Sequence, residues 1–295
     1  MIKKILVAHD LSRRSSAALV RAAELATQTG ATLEVLHLVE DDLPAWVVDR
    51  RQAEARTVIS EEIEKLRTSA TADIETTVRI GRDYTDILNR ASECAADLIV
   101  LGVHREDALR SVVVGTTAER VIGFGSRPVL VVKGPITGAY RRVLVAIDFT
   151  ASSHQAATFA LDLLPEPGVR VVHVAPMAVD TQRSRARDLE KMEKIRAELS
   201  ARRPGVGGRS ALPELVIRHG SPIAEIRNEA AAWRADLLVA GAQRRSGFTR
   251  ALVGEIPEDL LSRPPCDVLI VHASAAERDR AAISHQLGAT SDIIA

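Results

Sequence analysis

Residues 102–117 read GVHREDALRSVVVGTT: a glycine, a basic-acidic stretch, an apolar run, and then Gly115, Thr116 and Thr117 where a helix opens. Glycine lets a backbone approach an anion closely, the first free N–H groups of a helix point outward, and the two hydroxyls add donors. The helix macrodipole contributes ~0.3–1 kcal/mol toward a negative group at that end. The same residue types also make an ordinary N-cap, so the stretch reads either as a phosphate cradle or as a bare helix start.

Two further sets of side chains carry chemistry. Asp10 and Asp148 each follow an apolar run and suit a carboxylate that accepts a ribose hydroxyl, holds a metal-bound water, or closes a turn before a helix. His9, His37 and His104 fall at the carboxyl ends of predicted strands, where three imidazoles could ligate zinc. Against zinc, His37 has a counterpart in His173, but the other two positions become Ile147 and Gln243. The favoured reading is therefore no metal, with these histidines as locally hydrogen-bonded strand ends. Ser12, Ser15 and Ser16 follow the first strand without a histidine pattern that would make one a nucleophile. The sequence has no GxxxxGK[ST] loop, GxSxG elbow, HExxH helix or kinase signature.

The elements that must position these residues are written twice. KKILVAHDLS at residue 3 returns as RRVLVAIDFT at 141, and LEVLHLVE at 33 returns as VRVVHVAP at 169. Gly81 and Gly102 are 21 positions apart, as are Gly220 and Gly241; Gly102 to Gly115 and Gly241 to Gly254 are both 13. The halves close on PVLVVKG and DVLIVHA. This predicts domains at 1–134 and 141–273, a linker at 135–140 with two nearby glycines and a proline, and a tail at 274–295. Within each half, short Val/Ile/Leu-rich runs alternate with longer amphipathic segments. KILVA, TLEVLHL, IETTVRI, DLIVLG and PVLVV read as strands covered on both faces, and residues 13–30, 44–70 and 84–96 as helices. Such alternation predicts right-handed βαβ units and a parallel, doubly wound α/β sheet, which binds ligands beyond its strand carboxyl ends.

Composition narrows the partners. The 295 residues carry 39 Lys+Arg against 39 Asp+Glu, so nothing marks the chain for nucleic acid or an anionic membrane. Cys94 and Cys266 stand far apart and read as two small buried thiols in a reducing cytosol. The opening MIKKILVAHD has an apolar run too short for a signal peptide, and no run approaches the ~18 residues of a membrane span. A cytoplasmic protein is expected.

The paired module, the Asp after strand one, and the spacing glycine, two residues, glycine, nine residues, Gly-Ser/Thr together resemble the nucleotide-binding form of the universal stress protein family. The resemblance covers nearly the whole chain and implies a tandem member. It implies two five-stranded sheets of order 3-2-1-4-5 packed as an intramolecular pseudo-dimer, last strand to last strand. It further implies a stress-response regulator that binds ATP, ADP or AMP, with or without Mg²⁺, and no defined reaction beyond slow incidental ATP hydrolysis. Carried over by position, the first half offers Ala8, Asp10, Leu38 (whose backbone would meet adenine), Leu101, Gly102, His104, Gly115, Thr116 and Thr117. Arg105 stands where the second glycine falls, and either plugs the crevice or pairs with phosphate. The second half matches at Asp148, Val174, Gly241 and Gly254, but has Arg244 for the glycine and Glu255 for Ser/Thr. A carboxylate ~5 Å from a phosphate charge costs about 3 kcal/mol at an effective dielectric near 20, more than the helix dipole returns. Glu255 therefore reads as an internal stand-in for phosphate, paired with Arg244, and the second site as degenerate. The alternatives are a scaffold or interaction protein of the same fold, a zinc-binding tandem stress protein, and, less favoured, a nucleotide-cleaving enzyme. Association of two chains stays open.

Overall fold

The computed structural model describes residues 2–67, 70–82, 84–103, 117–134, 138–164, 167–175, 177, 182–202, 212–242 and 255–273, the side chains of 255–258 excepted. In the first half the order is β1 (Lys4–Ala8), α1 (Arg13–Thr29), β2 (Thr32–Val39), α2 (Ala45–Leu66), β3 (Ile74–Ile80), α3 (Tyr84–Glu93), β4 (Leu98–Gly102), α4 (Thr117–Phe124) and β5 (Val129–Val132). The second half repeats it as β6 (Arg142–Ile147), α5 (Ala151–Leu163), β7 (Gly168–Ala175), α6 (Gln182–Arg202), β8 (Glu214–His219), α7 (Pro222–Trp233), β9 (Leu237–Ala242), α8 (Glu255–Ser262) and β10 (Asp267–His272).

The strands form one ten-stranded sheet, β3-β2-β1-β4-β5-β10-β9-β6-β7-β8, so each half has the expected 3-2-1-4-5 order. Pairing is parallel within a half and antiparallel where the last strands meet, with Leu130 opposite Leu269. Alternate residues of the apolar strands feed two cores. Val7, Leu33 and Leu130 face α1 and α2, while Leu6, Leu36 and Val131 face α3 and α4. Both cores run through β5 and β10 into the second half, so neither half closes its own interior.

Local chemistry sets the helix ends. The Ser12 hydroxyl accepts from the Ser15 amide and the Ser15 hydroxyl accepts from the Ser12 amide, a reciprocal cap that opens α1. Gly30, in the left-handed region at φ 71°, closes it. The stripe Ala18, Leu19, Ala22, Ala26 then lies buried, its small members letting α1 sit close to the sheet. On the charged helix α6, Met192, Ile195 and Leu199 form the buried stripe.

The end of the linker is docked. The Tyr140 hydroxyl donates to Asp267 Oδ2 at 2.6 Å, Arg21 lies 3.9 Å over the Tyr140 ring, and Arg21 donates to the Gly138 carbonyl at 2.8 Å. Burial pushes the Tyr140 hydroxyl well above its usual pKa, which keeps it a donor.

Two expectations need correction. β3 is half exposed, because an edge strand is covered on fewer sides than its neighbours. Cys94 and Cys266 are partly accessible rather than buried. The described part of α4 begins at Thr117, and Gly115 lies outside the described residues. The tail 274–295 lies outside the described residues. Among the described residues no helix is long and apolar enough to cross a membrane.

Candidate functional site

The strand order reverses at β1, which leaves a crevice between the helices that follow β1 and β4. A cleft of about 530 Å³ opens there in the first half. It brings together Ala8, Asp10, Leu38, Leu101, Gly102 and Thr117, and also His9 and His37. His104, Arg105, Gly115 and Thr116 lie outside the described residues, as do Arg244, Gly254 and the side chain of Glu255. Asp148, Val174 and Gly241 occupy the matching strand ends of the second half.

Both aspartates build the turn that leads from strand to helix. Asp10 Oδ1 accepts from the Ser12 amide at 3.0 Å, and Asp148 Oδ1 accepts from the Thr150 amide at 3.1 Å and its hydroxyl at 2.5 Å. The residue between is forced into the left-handed region in each half, Leu11 at φ 62° and Phe149 at φ 61°. For such side chains this costs about 1–3 kcal/mol and is held only by its surroundings. Burial pushes the Asp10 carboxyl up, but hydrogen bonds from Ser12 and Ser15 and the nearby Arg14 outweigh it, leaving the pKa below its ordinary value. Asp10 therefore faces solvent as a carboxylate.

Gly102 and Gly241 have a packing reason in both halves. A Cβ on Gly102 would stand 2.7 Å from the Arg14 carbonyl oxygen, and one on Gly241 would stand 2.4 Å from Ser152 C. Only glycine lets β4 and β9 touch the first turns of α1 and α5 so closely.

The histidines are tied into the same turn. His37 Nδ1 donates to the His9 carbonyl at 2.7 Å, and His173 Nδ1 donates to the Ile147 carbonyl at 2.8 Å, one bond repeated in each half. His9 Nδ1 accepts from the Leu11 amide at 3.2 Å, which puts its proton on Nε2, 3.2 Å from Glu62 Oε2. Burial lowers the His9 pKa despite Glu62 and Asp10, so the ring is neutral at pH 7. With both nitrogens engaged, His9 has no lone pair to offer a metal. Among the described residues no three His, Cys, Asp or Glu side chains gather as a ligand set.

The cleft also contains residues that sequence reasoning passed over. Arg14 reaches it from the first turn of α1, Arg51 and Glu54 from α2, Arg82 from the end of β3 and Ile87 from α3. Arg82 pairs with Asp41 and Asp42, and Arg51 lies 3.9 Å from Glu40, so the loop after β2 is strapped to both neighbours. An arginine on an exposed first turn looks like a solvated charge in one dimension. The signal that could have marked Arg14 is its replacement by Ser152 in the repeat.

Two doubly wound 3-2-1-4-5 halves joined through their last strands, with a crevice where the order reverses, define a tandem α/β protein. The chain belongs to the Universal stress protein family, a family of stress-response proteins, whose pattern it matches at residues 1–133 and again at 139–272. A universal stress protein of Mycolicibacterium smegmatis is 27% identical over 294 residues, covering 90% of this chain and 96% of that one. Universal stress protein YxiE of Bacillus subtilis is 28% identical over 148 residues, 45% of this chain and 100% of its own. Among solved structures, protein PA1789 of Pseudomonas aeruginosa superposes with a TM-score of 0.70 at 18% identity, covering 97% of this chain and 98% of that one. A universal stress protein from Archaeoglobus fulgidus gives 0.69 at 17%, covering 92% and 98%. These two likenesses speak to the fold.

Proposed function

We propose that the protein is a non-catalytic stress-response regulator whose first half binds one adenine nucleotide, ATP, ADP or AMP, in the cleft at the end of β1. The observation that carries this reading is the 530 Å³ cleft itself, large enough for a cofactor-sized molecule and placed at the reversal of strand order. Its walls combine apolar side chains from Leu36, Leu38 and Ile87 with the Asp10 carboxylate and the Thr117 hydroxyl. That combination suits a base, a ribose and a phosphate in turn. Within it the neutral His9 ring is bonded on both sides and is not free to act as a base.

The scaffold reading keeps one support. The Asp turn and the glycine at the end of β4 or β9 are explained by packing in both halves, so their recurrence alone does not require a ligand. It fits the second half better than the first. Calorimetric titration with ATP separates the two: one equivalent per chain is expected, two would overturn the asymmetry, and none at millimolar ATP would favour the scaffold. A steady ATPase rate above roughly 1 s⁻¹, the low end of ordinary enzyme turnover, would contradict the non-catalytic assignment.

A further inference from the structure

Among the described residues six charged side chains line the first cleft: Asp10, Glu40, Glu54, Arg14, Arg51 and Arg82. Toward β2 and β3 they are neutralised locally. Arg82 is held by Asp41 and Asp42, Arg51 faces Glu40, and Glu54 pairs with Arg50 at 3.1 Å. Toward β4, among the described residues, Asp10 and Arg14 remain. Asp10 is exposed, and its carboxylate alone would repel any phosphate brought to this end. Arg14 is half-buried, and among the described residues its side chain makes no hydrogen bond or ion pair; its interaction with Asp10 is through charge. Its backbone rests against the end of β4, where the Gly102 Cβ would meet its carbonyl.

The repeat supplies a control. Gly241 meets Ser152 as Gly102 meets Arg14, so Ser152 holds the equivalent place on α5. Asp148 is thus left with the Thr150 hydroxyl and no guanidinium from that turn. We infer that Arg14 is the residue that sets the ligand preference of the first cleft: its guanidinium offsets Asp10 and pairs with a phosphate group, so this cleft selects ligands by their phosphate charge. This rests on the nucleotide reading and adds to it the residue that decides between nucleotides and nucleosides. A planar fork of donors suits phosphate oxygens better than an ammonium does.

The test is calorimetric titration of the full chain and of its Arg14→Ser and Arg14→Lys variants with ATP, ADP, AMP and adenosine. Arg14→Ser copies the residue that holds the equivalent place in the second half. Parent affinity should rise with phosphate number. Arg14→Ser should weaken ATP roughly ten- to a hundredfold and adenosine by less than about threefold, with Arg14→Lys between. An unchanged ATP affinity in Arg14→Ser, or equal losses for ATP and adenosine, would overturn the role of Arg14 and leave the nucleotide reading standing. If the parent binds none of the four, the nucleotide reading fails, and inorganic tripolyphosphate then tests Arg14 alone. Binding lost in Arg14→Ser supports the role, and no binding by the parent ends it.

Discussion

One buried ion pair is built in both halves with opposite polarity. In the first, Glu34 of β2 is fully buried opposite Leu6 and takes both forks of Arg90 from α3, at 2.6 and 3.0 Å. In the second, Arg170 of β7 lies opposite Leu144, the matching register, and donates to the buried Glu229 of α7 at 2.6 Å. The acid has moved from strand to helix and the base from helix to strand. Burial pushes both carboxyls up, but their arginine bonds outweigh it and hold both below the ordinary range. What the fold requires at this site is a paired charge, and which element supplies which sign is free to change. The first turns of α1 and α5 teach a different lesson, because there Arg14 is matched by the uncharged Ser152.

The largest effect expected comes from breaking that symmetry. Arg90→Glu would leave Glu34 buried against a like charge and should cost about 3–5 kcal/mol of stability. Adding Glu34→Arg copies the second half and should recover most of the loss. Denaturant unfolding of the parent, the single and the double variant checks this; a double variant as unstable as the single would show that the two sites are not interchangeable.

A smaller loss is expected from the glycines. Gly102→Ala and Gly241→Ala should each cost about 1–3 kcal/mol through backbone contact, with Gly241 the worse because its Cβ would stand 2.4 Å from Ser152. Thermal unfolding ranks them, and a neutral Gly241→Ala would break the packing account of both.

The smallest effect separates the two strained turns. Leu11→Gly relieves a left-handed residue whose side chain is partly exposed, and should gain up to about 1 kcal/mol. Phe149→Gly relieves the same φ but loses the ring contact with His173 at 4.3 Å and the Lys191 contact at 4.8 Å, so it should destabilise. Equal signs in chemical denaturation would mean that the backbone, and not the side chain, dominates at both turns.

Much of the fold is legible in the sequence because it is printed twice. KILVA and RVLVA, followed by Asp10 and Asp148, fix the strand and its turn, and the apolar run before each repeat end fixes β5 and β10. The site is less legible because its parts are contributed sideways. Glu34 sits inside TLEVLHL as one acid in an apolar run, and its partner is 56 residues away. Arg51, Arg82 and Ile87 reach the cleft from three different elements, a convergence that spacing along the chain does not encode. The recurrence of His37 as His173 carried information of another kind, since it marked a backbone anchor.

The antiparallel seam between β5 and β10 has a directional consequence. All five strands of one half run against all five of the other, so their carboxyl ends lie on opposite rims of the molecule. The protein is two-ended: whatever sits at one rim is out of touch with the other, and a message between them has to travel down the strands. Any partner that reads both ends at once must wrap around the sheet.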